Sequence, residues 1–435
     1  MISPSYILEH LIRFDTSNPP GHEKDCVLWI RDLLAGHGFQ TELFASDPER
    51  PNLVARMKGQ GNVRPLLLYG HADVVPAREP DWTWPPFSGK TVDGCVWGRG
   101  ALDMKGGLAI MMSALLSLAG QNHVPQGDVI FTVLCDEETG GDLGAGFMVD
   151  QHPGQFEGVR YAIGEFGGFP FYAGKTCFYP IQIGEKQVCW MKGRLKGKGG
   201  HGSQVFRGQV MARLGALLNT LDKRRMDVHI TPIVAETIGQ IAAALPFPGS
   251  RVLPLLLNPR LTDAVLWVLG KNGAMFDPLL HHTVNVTSVR AGDKINVVPS
   301  VVEFEMDGRI LPGFTTGDFL KELRSLIGGD AEIEILRNEP CPETPDLGFF
   351  DVLKTVLTDM HPGCVPIPML LPGITDARHF SRLGIQTYGF IPMNLPPTFD
   401  FGELIHGANE RVPEDSLVFG MSAIESVILR MGEQP

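Results

Sequence analysis

Three short apolar runs in this chain stop on histidine or acid. Residues 66–70 lead into His71-Ala72-Asp73, residues 129–135 into Asp136-Glu137-Glu138, and residues 161–164 into Glu165. Unbroken apolar runs of this length read as parallel strands buried on both faces. Ligand sites of open parallel sheets lie outside the carboxyl ends of the strands. The pattern therefore predicts an α/β fold in which side chains distant in sequence meet in one crevice. Asp103, in a glycine-rich stretch that opens an apolar helix, and His406, near the C-terminus, complete the set. Two imidazoles with three or more carboxylates form a mixed nitrogen and oxygen donor set, which zinc matches best.

At 435 residues the chain is too long for one small core, so two domains are expected. Helices are predicted at 5–14, 24–38 and about 105–119, with Gly120 as a stop, and strands at 52–58 and 65–70. This alternation gives a mostly parallel sheet. The character changes near residue 187, where a strand leads into the glycine-rich segment 197–203. A helix is predicted at about 208–222, and two strand-like runs follow at 283–290 and 301–310. Residues 187–312 thus read as an inserted α+β domain with an apolar insert at 228–282. Residues 1–186 and 313–435 read as one discontinuous catalytic domain. No apolar run reaches the roughly 18 residues of a membrane span. The net charge of −12 argues against nucleic acid or anionic membrane as a partner. The first residues carry no basic segment followed by an apolar one, so a cytoplasmic location is expected. The seven cysteines form no Cys-x-x-Cys pair and are expected to be reduced.

His71 and Asp73 lie two apart on an extended segment, so both side chains point the same way. One can bind metal while the other orients it through the second ring nitrogen. Asp103 fits either a ligand or a cap for the helix that follows it. Glu137 and Glu138 repel each other, and burying them together is costly without a cation. One of the pair could ligate while the other serves as general base.

Taken together, these blocks resemble the M20 zinc metallopeptidases: aminoacylase, acetylornithine deacetylase, succinyl-diaminopimelate desuccinylase and carboxypeptidases related to them. The resemblance is carried by residues 70–76, 97–107, 136–141, Gly164-Glu165, 200–203, 296–299, 373–378 and 406–410, in family order. It implies a zinc-exopeptidase-like α/β domain with an inserted ferredoxin-like α+β lid that also serves dimerisation. It also implies residue roles. His71, Asp103 and Glu165 would hold one zinc; Asp103, Glu138 and His406 would hold a second. Cobalt or manganese would suit the same donors. Asp73 would orient His71, and Glu137 would take the proton of the attacking water and return it to the leaving amine. His201 would stabilise the oxyanion, from a partner subunit in dimeric members. Asn296 would help hold the carbonyl, and Arg309 a substrate carboxylate through its bidentate fork. Two departures stand out: Glu165 is followed by Phe-Gly-Gly, with Asp150 and Glu157 as nearby acids, and His201 by Gly-Ser-Gln. The long insert is similar to that of the vacuolar carboxypeptidase and N-fatty-acyl-amino-acid hydrolase branch. The implied reaction is hydrolysis of an amide beside a free carboxylate, in an N-acyl amino acid or a dipeptide. The alternatives are a biosynthetic acetylornithine or succinyl-diaminopimelate deacylase, or a non-catalytic binding member.

Overall fold

A computed structural model describes residues 2–433. The chain forms two compact units, one of residues 1–183, 345–368 and 375–435, the other of residues 184–344 and 369–374.

The first unit is built on a nine-stranded sheet. Its order is Gln40–Phe44, Asn52–Met57, Val129–Leu134, Leu66–His71, Tyr161–Gly164, Gln386–Gly389, Thr176–Glu185 and Val365–Leu371, with Phe171–Ala173 paired to Thr176–Glu185. The four strands from Val129–Leu134 to Gln386–Gly389 are parallel. Every residue of Leu66–His71, Val129–Leu134 and Tyr161–Gly164 is buried. This double-sided burial is why these strands read as continuous apolar runs rather than alternating ones. His71 pairs with Leu134, so these two strands end level.

The helix Lys105–Gly120 is apolar around its whole circumference and nearly all of it is buried. It packs on the strand Leu66–His71 and against the helices Pro4–Arg13 and Glu414–Leu429. A helix apolar on every side must be covered on every side. Gly70 makes the approach possible, because a Cβ there would stand 2.4 Å from Met104 Cε.

The second unit holds a four-stranded antiparallel sheet in the order Thr283–Arg290, Val301–Ile310, Gln187–Lys196, Glu332–Glu339. The helices Val210–Lys223 and Thr316–Ile327 pack on it through Leu214, Leu217, Phe319 and Leu323, against Phe304 and Met306. In sequence this is β-α-β-β-α-β. The unit runs to Thr344, whereas the sequence reading ended it at 312. The last helix and strand belong here because Glu332–Glu339 pairs with Gln187–Lys196, a pairing across more than a hundred residues that no local pattern reports. The insert 228–282 folds into short helices, including Pro232–Ala244 and Thr262–Leu269. Among the described residues no helix is long and apolar enough to cross a membrane. The seven cysteines are all free.

Candidate metal centre

His71 is the last residue of its strand and is 1% exposed. Its Nδ1 donates to the Asp73 carbonyl oxygen at 2.9 Å. A carbonyl only accepts, so the proton of the neutral ring sits on Nδ1 and the Nε2 lone pair is left for a metal. Nε2 lies 3.0 Å from Asp103 Oδ1 and 3.2 Å from Glu165 Oε2. His406 presents its Nε2 to the other Asp103 oxygen at 3.0 Å and to Glu138 Oε2 at 3.4 Å. Within each group, His71/Asp103/Glu165 and Asp103/Glu138/His406, the ligand atoms lie within 4.8 Å of one another. Asp103 is common to both. It does not cap the following helix, whose first-turn amides receive no side-chain cap. Asp150 pairs with Arg382 instead, and Glu157 is exposed.

Asp73 contributes to His71 chiefly through its backbone carbonyl, with its Oδ1 3.5 Å from Nδ1. Its buried carboxylate also accepts from Asn18 Nδ2 at 2.8 Å and from the amides of Glu137 and Glu138 at 3.2 and 3.1 Å. It therefore pins the acidic turn beside the histidine. Burial alone would raise the Asp73 carboxyl; the hydrogen bond and charge of His71 outweigh that and hold it low. Glu137 is partly buried and its carboxylate makes no hydrogen bond among the described residues. Burial first, then the charge of Glu165, pushes it well above the usual carboxylate range.

The donor chemistry fits two divalent ions. Two imidazole nitrogens face three carboxylates, and Glu137 and Asp376 add further acid nearby. Asp376 is 1% exposed, neither of its oxygens has a hydrogen-bond partner among the described residues, and burial pushes it up to about 8. So much packed acid calls for compensating cations. Without them the histidines hold protons. For His71 the charge of Glu165 and the Asp103 hydrogen bond outweigh burial and raise the ring well above its ordinary value. The hydrogen bonds to Asp103 and Glu138 push His406 up to about 10. Because both rings are raised in this way, a metal must expel the protons they hold, and its affinity rises with pH. Zinc affinity, measured by chelator competition between pH 6 and 8, is expected to rise about tenfold per pH unit for each proton displaced. A flat profile would mean that the rings are already neutral in the metal-free protein at pH 6.

The other expected site residues lie in the second unit. His201 sits on a two-stranded ribbon, Gly200–His201 with Val297–Val298, and the Gly202 amide donates to the Asn296 carbonyl at 2.8 Å. His201 and Asn296 are therefore neighbours. Arg309 lies on Val301–Ile310 and is held by Asp307, Nε to Oδ1 at 2.7 Å and Nη2 to Oδ2 at 3.0 Å. This unit also brings together His229, His282 and Glu322. There the Leu311 amide donates to His282 Nδ1 at 3.0 Å, so the neutral ring carries its proton on Nε2 and has no lone pair to offer the group.

Sequence reasoning missed the support behind the ligands. Arg50 is buried and spans Glu23, Nη2 to Oε1 at 2.6 Å, and Asp136, Nη1 to Oδ1 at 3.0 Å. Asn18 joins Asp136 to Asp73. Glu410 was noted only as part of a matching block. In the fold it is fully buried and accepts from Arg99 and three backbone amides.

Comparison with known proteins identifies the family and the fold. The peptidase family M20/M25/M40 matches residues 67–430. The human N-fatty-acyl-amino acid synthase/hydrolase PM20D1 is 29% identical over 365 residues, covering 81% of this chain and 71% of its own. A probable carboxypeptidase S-like 2 of Dictyostelium discoideum is 28% identical over 383 residues, covering 83% and 70%. Among solved structures, an M20 family metallo-carboxypeptidase of Sulfolobus solfataricus shares the fold with a TM-score of 0.72 at 17% identity, over 99% of both chains. The family match spans most of the chain and takes in every candidate ligand from His71 to His406: the chain belongs to the M20/M25/M40 peptidase family.

Proposed function

We propose that this metal-dependent hydrolase cleaves the amide bond of an N-acyl amino acid or dipeptide next to its free carboxylate. The observation that carries the reading is the pair of ligand triads sharing Asp103, with the Glu137 carboxylate unpartnered beside them. Two zinc ions, with His71, Asp103 and Glu165 around one and Asp103, Glu138 and His406 around the other, would polarise the scissile carbonyl and acidify water. Glu137 takes a proton from the water that adds to the carbonyl carbon. As the C–N bond breaks, it returns that proton to the leaving nitrogen, giving a carboxylate and an amine. A carboxyl raised by burial and by Glu165 suits both halves of this transfer.

The second unit supplies the remaining roles. Its β-α-β-β-α-β order supports a ferredoxin-like lid. His201 would donate to the oxyanion, Asn296 would hold the carbonyl, and Arg309 would bind the substrate carboxylate with the fork that Asp307 now matches. In a homodimer the partner could present such a lid.

An apolar acyl group or side chain is the preferred substrate. The long apolar insert supports this, as does the match of 81% of this chain to the human relative named for N-fatty-acyl amino acids. The succinyl-diaminopimelate desuccinylase of Paracoccus denitrificans, 31% identical, covers 60% of the chain. A panel of zinc-loaded reactions, from N-acetyl to long-chain N-acyl amino acids and dipeptides, tests the reading. The kcat/KM for apolar substrates is expected to exceed that for N-acetylornithine and N-succinyl-diaminopimelate by about tenfold or more. The opposite order would favour the biosynthetic deacylase.

A further inference from the structure

We propose that Glu410, locked to Arg99, is a positioning residue that presets Asp103 and His406 as ligands of one metal. The inference rests on the metal-dependent reading above.

The loop that carries Asp103 turns several amides inward with no acceptor of its own. Glu410 fills that place. Its Oε1 accepts from the amides of Leu102 at 2.7 Å and Asp103 at 3.1 Å. Its Oε2 accepts from the Gly100 amide at 3.1 Å and from Arg99 Nη1 at 2.6 Å. Converging backbone amides form an anion site, and here a side chain of the same chain occupies it. Arg99 uses its other Nη to hold the carbonyl of His406 at 3.1 Å. One buried pair thus grips the backbone of both ligands, the amide of Asp103 and the carbonyl of His406.

The His406 segment needs such a grip. His406 and Asn409 have φ of 58° and 61°, in the left-handed region that histidine and asparagine enter more readily than most side chains yet still uncommonly. The Asn409 side chain is fixed by the Thr83 amide at 2.7 Å, and Arg99 lies 5.2 Å from the centre of the Trp82 ring. The segment that carries Trp82 and Thr83 is therefore the outer wall of this clamp. A buried ion pair with a purely structural role could sit anywhere in the fold; this one touches the ligand residues themselves. Metal affinity responds strongly to such contacts behind the ligands.

The test is Glu410→Gln, which keeps the shape but turns an NH2 group toward amide donors. Zinc binding to the apoprotein is followed by chelator competition, and the cobalt-loaded protein is followed by its visible absorption. We expect at least one zinc equivalent to weaken by about 10–100-fold, with a changed cobalt spectrum. A folded Glu410→Gln protein that binds both zinc ions within about twofold of wild type, with an unchanged spectrum, would overturn the proposal. If Glu410→Gln does not fold, Arg99→Lys decides by the same two readouts, because lysine cannot span Glu410 and the His406 carbonyl together. A wild-type protein that binds no zinc overturns the functional reading and this inference with it. Wild type binding two ions beside an unaffected variant removes the inference alone.

Discussion

Glu137→Gln lowers kcat by on the order of 10²–10⁴-fold while leaving zinc content unchanged. The substitution is nearly isosteric and removes only the capacity to take and return a proton. Glu137 is in neither triad, and its carboxylate has no hydrogen-bond partner among the described residues to be left stranded. Its amide still donates to Asp73 Oδ1, so the turn that positions Glu138 is retained. The informative measurement is therefore kcat on the best substrate beside metal analysis of the same sample. Zinc-loaded Glu137→Gln turning over at a rate close to wild type would exclude Glu137 as the base. Loss of metal together with activity would instead place Glu137 among the ligands.

The second large effect is on stability. Arg50→Ala is expected to cost roughly 3–5 kcal/mol, because removing one partner of a buried ion pair strands the other. Here Glu23 loses its side-chain partner among the described residues, and Asp136 keeps only neutral donors, from Asn18, Thr139 and the Leu143 amide. The Glu23 side chain has no exposed surface and that of Asp136 is 8% exposed, and Arg50 is the only cation paired to either among the described residues. The fold makes room for the guanidinium at Gly21, whose φ is +82° and where a Cβ would meet Arg50 Cζ at 2.3 Å. Urea unfolding followed by far-UV circular dichroism measures the loss. A variant within about 1 kcal/mol of wild type would mean that water reaches the two acids and the pair is not truly buried.

The contrast between Arg50 and His71 explains what could be read from sequence. Candidate metal ligands at strand ends are legible because a strand buried on both faces announces itself as an apolar run, and the residues just after the run are at the carboxyl edge of the sheet. His71, Glu138 and Glu165 all follow this rule. Arg50 sits in the polar loop Glu49-Arg50-Pro51, which by itself reads as exposed. Its burial comes from acids 27 and 86 residues away, a fact of tertiary structure alone. His406 follows no apolar run; it became a candidate through the block that surrounds it. The role of Glu410 was invisible for a related reason, since its four donors come from residues more than three hundred positions earlier. The boundary near 312 was misplaced because helix and strand simply continue there, and only strand pairing assigns them to the second unit.

The split of the first unit sets an order of assembly. Strand Gln386–Gly389 lies inside the sheet, between Tyr161–Gly164 and Thr176–Glu185, yet it is made after the whole second unit. A nascent chain that has reached the second unit holds Tyr161–Gly164 with an open, apolar parallel edge, the kind of surface that invites wrong partners. Four of the five candidate ligands are already present at that stage, and the fifth, His406, arrives with the closing strand and helix. Most of the second unit, Gly184–Thr344, is made before the last two segments of the first unit. Synthesis thus delays the full set of candidate ligands until the sheet has been sealed.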